Sequence, residues 1–167
     1  SSEDTAHPRV DQESIEDNPM AIPELLERVT DDATGAELAL VIRAGFGQPG
    51  INFVTDDESV HQLGVLRWPQ GHLIDAHVHN PMTRTIDSTQ EVLFIRSGRV
   101  RVDLYGDDRG YRSSLELGAG DVIFLASGGH GFEILEDADI VEVKQGPYRG
   151  EGEKTRFRPR DNPHWSS

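Results

Sequence analysis

At 167 residues, with 16 basic against 30 acidic side chains and no cysteine, the chain has the length of one domain able to bury a real core. A formal charge of −14 repels a nucleic-acid backbone or an anionic membrane over most of the surface, and the missing thiols exclude a disulfide framework and a thiolate site. No run reaches the ~18 apolar residues of a membrane helix, and the first residues lack a charged-then-apolar signal pattern, so a cytoplasmic protein with no nucleic-acid or membrane partner is expected.

In chain order, residues 1–20 carry six Asp or Glu against Arg9 and no periodic apolar face, which predicts a flexible acidic arm. Pro23 at a first helical position, Glu24 and Glu27 near it, and Leu25, Leu26 and Val29 at helical spacing predict one short helix that ends by Asp31. From Gly35 onward the pattern turns to strands, expected at 37–44, 51–55, 60–68, 72–79, 91–97, 100–105, 111–117, 121–125, 131–136 and 140–144. Short strands at this spacing without intervening helices predict an antiparallel sandwich or barrel. Ser97-Gly98-Arg99 and Gly106-Asp107-Asp108 read as tight turns between paired strands. The leading strands 37–44 and 51–55 are candidate sheet edges that a second copy would cover, so a homodimer is expected. The organisation is an arm at 1–20, one domain at 21–148 including the leader helix, and a polar tail at 149–167. In that tail Arg156, Arg158 and Arg160 alternate, and Phe157 and Trp165 are candidate anchors.

The densest group of metal-capable side chains lies in 71–98. His77 and His79 are one residue apart in a run with strand-like alternation, which puts both rings on one face with Cα atoms about 6.5 Å apart. A second apolar run begins at Glu91; returning antiparallel, it would bring that carboxylate about 4.8 Å across from the pair and complete a facial set of ligands. Taken alone, such a pair is more often two surface or hydrogen-bonded histidines than a metal site.

The spacing around it resembles the first motif of the cupin superfamily, with Gly71, His77, His79, Glu91 and Gly98 in the family's order, five residues between Gly71 and His77 and six between Glu91 and Gly98. The spacer from His79 to Glu91 holds eleven residues, longer than is usual in the family, and contains Asp87 as a second carboxylate. A candidate second motif follows at Gly120-Asp121-Val122-Ile123-Phe124-Leu125 and Ser127-Gly128-Gly129-His130, with Ala126 where the family has proline and a turn one residue shorter. The resemblance implies a double-stranded β-helix, the cupin jelly-roll barrel, with one divalent metal held by His77, His79, Glu91 and His130. It also implies open coordination positions for a small anionic or sugar-like substrate. Fe(II) is favoured by likeness to facial-triad oxygenases, while Mn, Ni, Co and Zn accept the same N/O set.

Other residues are candidates for the chemistry. Glu142 and Lys144 share one face of a strand: pointing into a barrel they would relay a proton or bind a carboxylate, and pointing out they form an ordinary exposed ion pair. Tyr111 is a second candidate acid or base. Arg84, in the long spacer, would clamp an anion or remain a solvated loop arginine. Three function classes stay open: a metal-dependent Fe(II) oxygenase, a non-redox isomerase, epimerase or lyase using the metal as Lewis acid, and a metabolite-binding or sensing module without catalysis.

Overall fold

The computed structural model describes residues 25–165. They divide into two compact units, Phe46–Asp87 in one and residues 25–45 with 88–165 in the other. The expected acidic arm lies outside the described residues.

The second of these units is an all-antiparallel six-stranded sheet curled into a half-barrel. Its strands are β1 (Leu26–Thr30), β2 (Glu37–Ile42), β5 (Glu91–Tyr105), β6 (Tyr111–Gly118), β7 (Val122–Leu125) and β8 (Gly129–Lys144), β3 and β4 belonging to the other unit. The order is β1-β2-β7-β5-β6, and β8 pairs with β5 along its whole length. Valine, isoleucine and leucine at alternate positions put one row of each strand on the inner face. The core gathers Ala39 and Val41 of β2, with Leu38 from its other face, Leu93 and Ile95 of β5, and Ile123 of β7, with Val100, Val102 and Leu104 continuing it. Each such side chain taken fully out of water contributes roughly 1.5–3 kcal/mol.

The segment predicted to be a leader helix is instead strand β1. Val29 packs on the core, and the ladder pairs Glu27 with Val41 and Arg28 with Leu40. Six residues are too few for a helix to stand alone. In the strand, by contrast, Arg43 donates to Glu27 at 2.7 Å and Arg28 to Glu37 at 2.5 Å, so ladder and ion pairs override the helical spacing. The tight turn expected at 97–99 is also absent. Strands expected at 91–97 and 100–105 are one strand, β5, and those at 131–136 and 140–144 are one strand, β8. Gly98 has φ +83°, and the register slips on both sides of it. A Cβ there would run into the Asp137 carbonyl, so the glycine serves a bulge that bends two long strands together. The turn at Gly106-Asp107-Asp108 is present, closed by Gly106 N–H donating to the Gly110 carbonyl at 3.0 Å. Strand β2, expected to be an edge, lies between β1 and β7.

The other unit holds one hairpin, β3 (Gly50–Phe53) with β4 (Gly64–Arg67). Buried Asn52 steadies it by donating to the carbonyls of Gln48 at 2.8 Å and Val65 at 3.3 Å. Beyond Trp68, which stacks on His72 with ring centres 3.9 Å apart, residues 71–89 are exposed and none is in a strand. The strand expected at 72–79 therefore does not form. Its alternation has no neighbouring strand to answer it, and Leu73 and Val78 remain 85% and 87% exposed. No helix among the described residues is long and apolar enough to cross a membrane.

Candidate functional site

Strand parity brings a set of polar groups onto the inner face of the curled sheet. Glu91 has the parity of Leu93 and Ile95 on β5, and the β8 residues opposite these three are Lys144, Glu142 and Ile140. Past the Gly98 bulge, His130 lies opposite the core residue Leu104. The curl then closes the distance between the two ends of the face: His130 Nε2 stands 3.1 Å from Glu91 Oε2. That hydrogen bond, working against partial burial, holds the Glu91 carboxyl below its ordinary range. Lys144 Nζ lies 3.4 Å from Glu142 Oε1, and this contact raises the ammonium above its usual value. The result is a short row of polar groups, carboxylate, imidazole, ammonium and carboxylate, rising from an apolar floor.

The other candidates are placed as follows. His77 and His79 lie in the Phe46–Asp87 unit, their rings edge to face with centres 5.3 Å apart. His77 Nδ1 lies 2.9 Å from the Asp75 carbonyl oxygen; a carbonyl only accepts, so Nδ1 is the donor, and in the neutral ring the lone pair is on Nε2. This is the arrangement in which an imidazole is oriented to serve as a ligand. Arg84 and Asp87 are exposed in the same irregular stretch. Tyr111, at the start of β6, bonds Ser114 Oγ at 2.9 Å and sits edge-on to Tyr105 at 6.1 Å. Two pairs of the four expected ligands are thus each in contact, one pair per unit, and among the described residues no three His, Asp or Glu side chains gather as a metal cluster.

A second constellation lies on the outer face of β5 and β8, where no residue was expected to function. Buried Asp103 accepts from Arg101 Nε at 2.9 Å, Ser114 Oγ at 2.6 Å and Asn162 Nδ2 at 3.0 Å. Burial opposes its charge, but these donors outweigh burial and hold the carboxyl below the ordinary carboxylate value. Asn162 also donates to Tyr105 Oη at 2.7 Å, while burial pushes the Tyr105 phenol up. Phe157 sets its edge on the Tyr105 ring, centres 5.2 Å apart. The tail is thereby fixed along the sheet and encloses a cavity of about 830 Å³ between itself and the strands, with His130 on its lining. Phe157 was legible as a tail anchor from its isolation among polar residues; Asn162 gave no signal.

The chain matches no family model, no curated protein and no solved structure.

Proposed function

We propose that the chain is a metal-dependent cupin enzyme acting on a small polar metabolite, anionic or sugar-like, and that its half-barrel belongs to a jelly-roll. The observation that carries this reading is the His130–Glu91 contact. Two residues from separate motif segments, far apart in sequence, meet at 3.1 Å on the inner face of a curled antiparallel sheet.

The donors present suit a divalent cation. Glu91 is kept ionised, His77 has its Nε2 lone pair free, and imidazoles with one carboxylate form the N/O set that Fe(II) and its neighbours accept. His77, His79, Glu91 and His130 would hold the ion, which supplies Lewis-acid polarisation and, as Fe(II), oxygen chemistry. Around it, Lys144 offers a fixed positive charge to an anionic substrate, and the apolar floor of Leu93 and Ile95 keeps water away from one side. Arg84 would add a guanidinium clamp for the same anion.

The favoured reaction is an Fe(II) oxygenation. The Lys144–Glu142 pair supports a second reading, a non-redox isomerase, epimerase or lyase, because two oppositely charged groups at 3.4 Å beside Glu91 can exchange a substrate proton; Tyr111 is further from this row in register and is the weaker candidate for that role. Elemental analysis of protein purified without chelator is the deciding experiment. About one equivalent of metal, lost in His77→Ala and His130→Ala with the fold retained by circular dichroism, is the expected result; metal-free protein overturns the reading. Mixing with substrate anaerobically and then admitting oxygen separates the first reaction, which consumes O₂, from the second, which proceeds without it.

A further inference from the structure

The floor of the cavity under the tail is the outer face of β5 and β8, while His130, which reaches Glu91, stands on its lining. Its floor is flat for a local reason. Tyr105 and Asp103 on β5 lie opposite Gly129 and Gly131 on β8, so two neighbouring floor positions carry no side chain. Phe157 uses the first space: a Cβ on Gly129 would lie 3.1 Å from its ring. The second is empty, since a Cβ on Gly131 would meet only the Tyr105 ring edge, at 4.0 Å. Phe157 walls this vacant strip, and Trp165, 52% exposed, also lines the cavity. A planar ring laid over Gly131 has aromatic partners at the stacking or edge-to-face distances such groups favour.

The charge is equally distinctive. In a chain of net charge −14, the lining carries Arg101, Lys154 and Arg156 against Asp103 and Glu133. Both carboxylates are already engaged by Arg101, which leaves the cations of the rim unanswered from within the cavity. Lys154 makes no close ion pair among the described residues, its charge being felt at longer range by Glu91, and Arg156 meets Glu151 in a pair of which both partners are about three-quarters exposed, a type of contact worth little. His164 also lines the cavity. Mobile anions are therefore drawn to this edge of an otherwise acidic surface.

We propose that this groove is a binding site for an aromatic ring bearing an anionic group, an aryl carboxylate or aryl phosphate, with the ring over Gly131 and the anion at Lys154 and Arg156. The site needs no metal and does not rest on the cupin reading. The test uses the full chain carrying Trp68→Phe, which leaves Trp165 as the sole tryptophan, after chelator treatment. Benzoate and phenyl phosphate are titrated against Trp165 emission and by calorimetry, with acetate, inorganic phosphate and benzyl alcohol as controls. Saturable binding of at least one aryl anion is expected, at least tenfold tighter than any control. Lys154→Ala with Arg156→Ala is expected to weaken it about tenfold or more, and raising the salt to weaken it further. Gly131→Leu, filling the strip, is expected to abolish it while the melting curve stays cooperative. The proposal is overturned if neither aryl anion binds, if the controls bind as well, or if the double alanine variant binds unchanged. The choice between benzoate and phenyl phosphate sets which anion the rim is built for. Failure here with stoichiometric metal present would leave the inner-face reading standing, and success in metal-free protein would not support it.

Discussion

Replacing Asp103 with alanine tests whether the buried network holds the tail to the sheet. The carboxylate is 3% exposed and receives both Arg101 Nε and Nη2, at 2.9 and 3.2 Å, together with Ser114 and Asn162. Its loss takes one acceptor from Arg101, Ser114 and Asn162, of which Ser114 and Asn162 keep Tyr111 and Tyr105 as partners. Breaking a buried charge pair from one side typically costs about 3–5 kcal/mol. Arg101 keeps Glu133 as a partner, which is 53% exposed, so the cost falls at the low end, about 3 kcal/mol. For a chain of this size that lowers the melting temperature by roughly 6–12 °C. Urea and thermal melts of both proteins at neutral pH measure it, and a difference below about 1 kcal/mol would refute the argument that the carboxylate ties β5, β6 and the tail together. The pH dependence gives a second check. The folded Asp103 carboxyl lies below its unfolded value near 3.9, so its contribution is fully present above that pH and fades as the pH falls through the lower, folded value. The gap between wild type and Asp103→Ala should be constant above about pH 5 and narrow below about pH 4.

Gly98→Ala forces a side chain onto a φ of +83° and into the Asp137 backbone; a loss of at least about 2 kcal/mol is expected in urea melts, while Gly118→Ala, with open space around its Cβ, stays within about 0.5 kcal/mol. For the metal, Glu91→Gln is expected to remove it and Asp87→Asn to spare it, because a carboxylate on a strand is already ordered whereas one in an irregular exposed stretch must first lose its freedom; elemental analysis giving the reverse would reassign the ligand. Arg84→Ala should weaken binding of a small carboxylate or phosphate to the metal-loaded protein by about tenfold, and an unchanged affinity returns Arg84 to a solvated role. Light scattering at micromolar concentration is expected to give the mass of a homodimer, the sheet having edge strands that a second copy would cover; a monomer mass rejects this.

Strand content was legible wherever alternation coincided with a core, as along Leu93, Ile95 and Ile123. What the pattern could not supply was continuity. A glycine at positive φ serves a hairpin turn and a bulge equally well, so Ser97-Gly98-Arg99 read as a chain reversal; only the Asp137–Ala138 backbone packed against Gly98 makes it a bend in one long strand. The same limit produced the leader helix. Spacing of Leu25, Leu26 and Val29 fits a helix, and the competing information, that Glu27 and Arg28 find Arg43 and Glu37 across a ladder, resides in residues nine and sixteen positions away.

The two faces of the β5–β8 pair show how this bears on sites. Glu91 and His130, expected from motif spacing to share a site, do meet at 3.1 Å, since spacing along the chain can be read in one dimension. The outer groove has no such signature: it is written as two glycines that leave a strip of sheet bare and a tail whose aromatic and cationic residues alternate, joined by an asparagine acting 59 positions from its carboxylate. Read singly, Gly131 is a flexible residue, Phe157 a tail anchor and Lys154 a solvated charge. Only the register that sets Gly131 opposite Asp103 turns the absence of a side chain into a space, and only the Asn162 bond that fixes the tail gives that space walls. A sheet edge with missing side chains and a charged, aromatic tail that returns across it is therefore a sequence feature to look for. Its physical content is a vacancy of ring size with cations at its mouth, and the binding experiment on Gly131→Leu addresses that vacancy directly.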